Sequence, residues 1–456
     1  MTFEGGAREE PGAVQVALNV DEVEFIAAWR MYRSGYVSLS PATREFLGQL
    51  SERIGLAPMG EEASPVATTV RDLPVYSPEA AVRIKEALPG VVFGGAVADS
   101  IGAPVEFDDW VAIKQKAGPN GVAGLGSAFG VPGSFTDDTQ LLAFTLEGLI
   151  ISRIQLRRRR FEEYFHTRGG LQMSYARWLH TQGMEWRETL PAAFRKSIPD
   201  PGGWLVTQPE LRAQRSPDRD NLEAIAAFAR ATDENASQGI SNFDTPLNQS
   251  KSTGALLRSA PAFLWSDVPE RVFNLAADIA AMTHGHPTGY LPSGVLAILC
   301  GELARGVSLR SAIDTGLAQL QRWEGCDETR ASIERALDLA EVGRVTTQTI
   351  EDRLGLGWRA DEALAIGLAA ALAAPDDYAQ AVRIAVNRSG NSTTPAAVCG
   401  AIMGAAHGVR VVPEDWLAGL QWREGLEALV RDVLVEFTSA EAPENDAWLR
   451  KYPQQL

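Results

Sequence analysis

The runs "VFNLAADIAAMTHGH" (272–286), "SGVLAILCGELARG" (293–306), "ADEALAIGLAAALAA" (360–374) and "YAQAVRIAVNR" (378–388) set the strongest limit on how this chain can fold. Their apolar residues recur near every 3.6 positions, and their flanks are rich in Ala, the best helix former. Alternating strand patterns are scarce, and no strand–helix alternation runs along the body. Small side chains on helices let neighbouring axes come close. The expected fold class is therefore all-α, a large compact multi-helix domain over residues 86–440. Residues 1–75 are expected to form an N-terminal helical extension and linker. Val20–Tyr32 and Pro41–Ile54 read as amphipathic helices, and the Pro, Ser and Thr of "LAPMGEEASPVATTVRDLPVYSP" (56–78) as linker chemistry.

Composition excludes several classes of function. The 456 residues include 58 acidic and 42 basic ones, a formal charge of -16. That balance disfavours non-specific nucleic-acid binding, which needs Lys and Arg against phosphates. Cys300, Cys326 and Cys399 are odd in number and show no C-x-x-C spacing, so neither a disulfide scaffold nor a structural zinc site is expected. The start, "MTFEGGAREEPG", is acidic without an apolar run, and no stretch approaches ~18 consecutive apolar residues. The expectation is a cytoplasmic protein with no membrane partner.

Chemistry concentrates in a few segments. "FTDDTQLL" places Asp137 and Asp138 between hydroxyls at the start of an apolar helix. Thr136 or Asp137 can cap that helix, but two adjacent carboxylates exceed the needs of one cap. Such oxygen sets suit hard cations, and one of the acids could instead deprotonate a water. "GGAVADSIGAPVEFDDW" (94–110) carries Asp99 and Glu106 in a Gly/Ala-rich apolar setting. In "PLNQSKSTGALLRSAPAF" (246–263), Ser252, Thr253 and Gly254 stand at a turn whose N–H groups could meet a phosphate. "MTHGHPTGYLPSG" (282–294) supplies His284 and His286. The Gly-rich "GVAGLGSAFG" (121–130) lacks the context of a phosphate loop and reads as a flexible loop. The arginines of "LRRRRFEEY" (156–164) read as a solvated, salt-bridged face.

Together these segments resemble the ADP-ribosylglycohydrolase family, of the dinitrogenase-reductase-activating glycohydrolase or ADP-ribosylarginine hydrolase type. "GGAVADSIGAPVEF", "FTDDT", "NQSKSTGALLRSAP", "THGHPTGYLPSG", "LGLGWRADEALAIGLAAAL" and "AVNRSGNSTTPAAVCGAIMGAAHG" follow its motifs in order, over about residues 86–425. The resemblance implies an all-α fold, a cleft for ADP-ribose and typically two Mg²⁺ ions. It makes Thr136, Asp137 and Asp138 metal ligands, Asp137, Asp138 and Glu106 catalytic candidates, and Asp99, Ser252, Thr253, Gly254, His284 and Asn391 ligand-binding ones. The implied partner is an ADP-ribosylated substrate or a nucleotide-like small molecule.

One departure matters most. Where the family reads Gly-Asp-x-Asp-Ser/Thr, with both aspartates on metal, this chain reads Gly390-Asn391-Ser392-Thr393-Thr394. Ser252 likewise replaces a loop glycine. The expectation is a weakened site, with one Mg²⁺ ion or none, lying where segments 136–138 and 390–394 meet. Thr394 and Pro395 also read as N-cap and first residue of the next helix. Three activities fit: hydrolysis of an ADP-ribosyl or related N- or O-glycosidic bond; ligand binding without cleavage; or another reaction on a nucleotide-derived metabolite.

Overall fold

Small residues four apart decide how the two central helices meet. Gly90, Gly94, Ala98 and Gly102 lie on one face of α1 (Pro78–Gly102), because residues i and i+4 of a helix share a face. In the computed structural model, which describes residues 78–159, 163–231, 241–343, 345–439 and 442–454, that face meets a helix from the far end of the chain. The expected N-terminal extension lies outside the described residues.

We label further helices α2 (Asp137–Arg159), α3 (Pro287–Ala304), α4 (Ala360–Ala373), α5 (Thr393–His407) and α6 (Arg423–Thr438). α5 presents Gly400 and Gly404 to the stripe on α1. A Cβ on Gly90 would stand 2.0 Å from the Gly404 carbonyl oxygen, and one on Gly94 2.3 Å from that of Gly400. One on Gly102 would stand 2.4 Å from the Ser392 carbonyl oxygen. The helices therefore run antiparallel with their backbones in contact. This register lays the start of α5 beside the end of α1, and so brings Thr393 to Glu106.

Neighbouring helices hold the pair. The Tyr378 hydroxyl donates to the buried Gly94 carbonyl at 2.6 Å. α4 closes on α5 where a Cβ on Gly367 would be 2.6 Å from Val398. α3 is buried almost all round, as expected of a helix that is apolar on every side. α6 packs against both α2 and α1. Residues Glu79–Val105 are long and apolar enough to cross a membrane, yet 83% of that apolar window is buried inside the fold. The helix is the core's own centre. Cys300 and Cys399 are buried and unpaired within α3 and α5.

The helix-rich reading holds: among the described residues the strands are β1 (Ser127–Ala128) and β2 (Val131–Pro132), an antiparallel pair. Residues 121–126 are irregular, in line with the loop reading of 121–130, and only the end of that segment enters this hairpin. Gly130, at φ 76°, makes the turn, and the Ser134 hydroxyl ties it down by donating to the Ala128 carbonyl at 2.6 Å. In the arginine run, Arg157 pairs with Glu436 and Glu444, so it staples α2 to the C-terminal segment.

Candidate functional site

Asp99 organises the entrance to α2. Its carboxylate accepts from the Thr136 N–H at 3.0 Å, the Thr136 hydroxyl at 2.8 Å and the Thr139 hydroxyl at 2.6 Å. Thr136 in turn accepts from the Asp138 N–H at 3.3 Å, so Thr136 is the residue that caps α2. Asp137 donates its N–H to the Arg215 carbonyl and accepts from the Asp218 N–H at 3.0 Å. Asp138 accepts from the Thr394 hydroxyl at 2.7 Å across 256 positions of chain. Glu106 accepts from the Thr393 hydroxyl at 3.1 Å through one oxygen, while its other oxygen is buried without a partner.

Segments 136–138, 253 and 391–394 thus converge. Thr394 also lies 3.1 Å from the Thr253 hydroxyl, and the Asn391 amide nitrogen 3.3 Å from the same oxygen. The helix start corrects the expected cap. Asn391, not Thr394, caps α5: its carbonyl oxygen accepts from the Thr393 N–H at 3.0 Å and the Thr394 N–H at 3.1 Å. The reason is competition, because the Thr394 hydroxyl is drawn to Asp138.

Burial and crowding set the electrostatics. Asp137 is pushed well above the usual carboxylate range by burial and then by the charge of Asp138. Asp138 is pushed well up by burial and then by Asp99. Asp99 itself is raised by burial, against the lowering effect of its hydroxyl donors. Glu106 rises to about 7, chiefly from burial and secondly from Asp99. Like charges taken out of water resist ionising together.

The predicted phosphate loop is tied to acids. The Ser252 hydroxyl donates to Asp218 at 2.7 Å and lies 2.9 Å from His284 Nε2. Because the carboxylate only accepts, Ser252 must accept from Nε2–H. His284 Nδ1 then accepts from the Thr283 hydroxyl at 2.7 Å, which itself accepts from Arg258. Burial holds the imidazole down to about 4, so it is neutral at neutral pH. His286 instead caps α3, accepting from the Thr288 N–H. Gly254 is packed so tightly that a Cβ would meet Asn221 at 2.5 Å and Asp218 at 2.7 Å. The helix after it, Leu256–Ser259, is a single turn.

Sequence reasoning missed segment 215–220. Asp218 caps the helix Arg219–Phe228 through the Asp220 N–H and holds Ser252 with its other oxygen. Ser216 adopts φ 53° beside Glu106. Its signal was "SPDRDN", a cap ahead of "LEAIAAFAR", readable as a helix start but not as part of a cleft. Phe107 and Trp358, both exposed, stack at 5.7 Å beside Glu106 and were also missed. A surface cavity of about 520 Å³, lined by residues including Glu328, Arg335, Glu351, Arg359 and Glu362, contains none of the predicted site residues, although the backbone of Arg359 pairs with that of Ser252.

The sequence profile described as ADP-ribosylglycohydrolase matches residues 80–443. The chain belongs to the ADP-ribosylglycohydrolase family. Among solved structures, an "ADP-ribosylglycohydrolase-related protein complex" is similar at 22% identity and a TM-score of 0.47, over 78% of this chain and 100% of that one. No curated protein sequence matches the chain.

The family implies Mg²⁺, and the donor set here does not fit a two-ion centre. Among the described residues, no group of three or more His, Cys, Asp or Glu is arranged to hold a metal. On the α5 side the groups facing the acids are hydroxyls that donate, and the Asn391 carbonyl faces the helix start.

Proposed function

We propose that this ADP-ribosylglycohydrolase-family chain hydrolyses an ADP-ribosyl or related N- or O-glycosidic bond through an altered metal site. The observation that carries the reading is the convergence of Glu106 and Asp138 on the hydroxyls of Thr393 and Thr394, with Asp137 next to Asp138 and held by the Asp218 N–H. In the proposed step a carboxylate of the Asp137–Asp138 pair takes a proton from water. The water oxygen forms the new bond to the anomeric carbon as the bond to the leaving atom breaks. Glu106, poised near neutrality, supplies the proton that the leaving atom takes up. The remaining carboxylate steadies the oxocarbenium-like charge that develops at the sugar. Asp99 holds Thr136 and hence the pair in place. No step passes through a metal.

A second reading, binding without cleavage, is favoured by the lost aspartates of 391 and 393, since among the described residues no group of three or more His, Cys, Asp or Glu is arranged to hold a metal. The two readings part in one experiment. The full chain is incubated with a peptide carrying ADP-ribosylated arginine, and free ADP-ribose is measured beside calorimetry with ADP-ribose. Release supports hydrolysis, binding without release supports the second reading, and neither result removes both. The reading carries with it the expected cytoplasmic setting, without membrane or nucleic-acid partner.

A further inference from the structure

A divalent cation needs lone pairs converging on one point, whereas the groups around these acids supply protons. Thr136 and Thr139 give hydroxyl protons to Asp99, and Thr394 gives one to Asp138. The Asp218 N–H faces Asp137, and the Thr393 hydroxyl faces Glu106. Asn391 holds the place of a lost carboxylate, but its carbonyl is engaged by two N–H groups of α5. What it turns toward Thr253 and Thr394 is its amide nitrogen, a donor.

A fixed cation lies close by. Arg215 is 3% exposed. Its guanidinium sits 4.9 Å from the Phe135 ring centroid and 5.9 Å from that of Phe129. One of its nitrogens donates to the Phe135 carbonyl at 3.2 Å, whereas Nε is buried with no acceptor. Its backbone carbonyl accepts the Asp137 N–H at 3.0 Å, which ties Arg215 to the cluster, and the acids that act on its guanidinium are Asp99 first and Glu210 second. Burying such a group without a carboxylate pair is costly unless nearby negative charge offsets it.

We infer that this chain balances its carboxylate cluster from within, by hydroxyl protons and the Arg215 guanidinium, and that the site neither needs nor takes a divalent cation. The inference concerns the same cleft as the proposed hydrolysis, but it is tested without substrate, so the two fail separately.

The test is the melting temperature of the full chain in EDTA and in millimolar Mg²⁺ or Mn²⁺, with calorimetric titration of each ion. For the unmodified chain the expected shift between media is below about 1 °C, with no saturable heat. Asn391→Asp combined with Thr393→Asp restores converging acceptors. That variant is expected to melt lower in EDTA and to recover by about 5 °C or more in Mg²⁺. If it does not fold, Asn391→Asp alone carries the same comparison, because Asp caps a helix as well as Asn does. A saturable stabilisation of the unmodified chain by either ion overturns the inference. So does a folded carboxylate variant that ignores both ions, since the donors at 391–394 would then not be what excludes metal. Arg215→Met is expected to melt lower in EDTA and to gain a response to Mg²⁺. A melting temperature unchanged in both media removes Arg215 from the balance.

Discussion

Glu106 is held at about 7 in the folded state against an ordinary 4.5, so it keeps a proton that the unfolded chain releases. Stability from this group is therefore greatest at low pH and falls as pH rises from 4.5 through 7. A shift of this size corresponds to about 3 kcal/mol across the window. Urea unfolding at pH 5 and pH 8 should show the unmodified chain losing stability, with Glu106→Gln losing less; equal losses would remove Glu106 from the cluster. His284 works in the opposite sense. Its folded value of about 4 lies below the ordinary 6.5, so its contribution is lost as pH falls from 6.5 toward 4. Thr394→Val should cost about 2 kcal/mol, because Asp138 would lose its hydroxyl donor while still buried. Thr394→Ser should keep the bond and most of the stability, which the same unfolding curves would report.

Between helices, backbone contact takes over from side-chain packing. Gly94 and Gly404 leave no room for a methyl, so Gly404→Ala must push α1 and α5 apart. The expected loss is about 2 kcal/mol or more, read from urea unfolding. A change under about 0.5 kcal/mol would mean that the helices are not in contact there. The same register carries the chemistry, since it places Ser392 against Gly102 and thereby Thr393 against Glu106. Because Asn391 supplies the cap of α5, Asn391→Ala should cost about 1 kcal/mol whatever the metal content of the buffer. A cost that vanishes in Mg²⁺ would contradict the cap.

Across the whole molecule, the fold gathers acids from three distant stretches and surrounds them with helices that exclude water. If hydrolysis is the activity, its rate should be the same in EDTA as in Mg²⁺, while Glu106→Gln should lower kcat by about 10²–10⁴-fold. A rate abolished by chelator would return the site to ordinary metal-dependent chemistry. The membrane-length apolar window in α1 belongs to the same picture, because burial at the centre of the domain demands the hydropathy that a span would.

Helices over 272–304 and 360–407 were legible from periodicity and alanine content, which act over a few residues and need no distant partner. The paired acids before α2 and the missing aspartates at 391 and 393 were equally plain, since residue identity is itself sequence. The direction of each hydrogen bond was not. Threonine and asparagine can both donate and accept, and only packed neighbours decide which. In the fold, Asp138 takes the Thr394 proton and leaves Asn391 to cap α5, while Asp218 and Arg215 enter from a segment, 215–220, that the sequence did not mark out. By itself, the sequence determined which elements form and which charges were lost. Tertiary structure decided what faces the remaining charges, because that depends on a glycine register between helices some 300 residues apart.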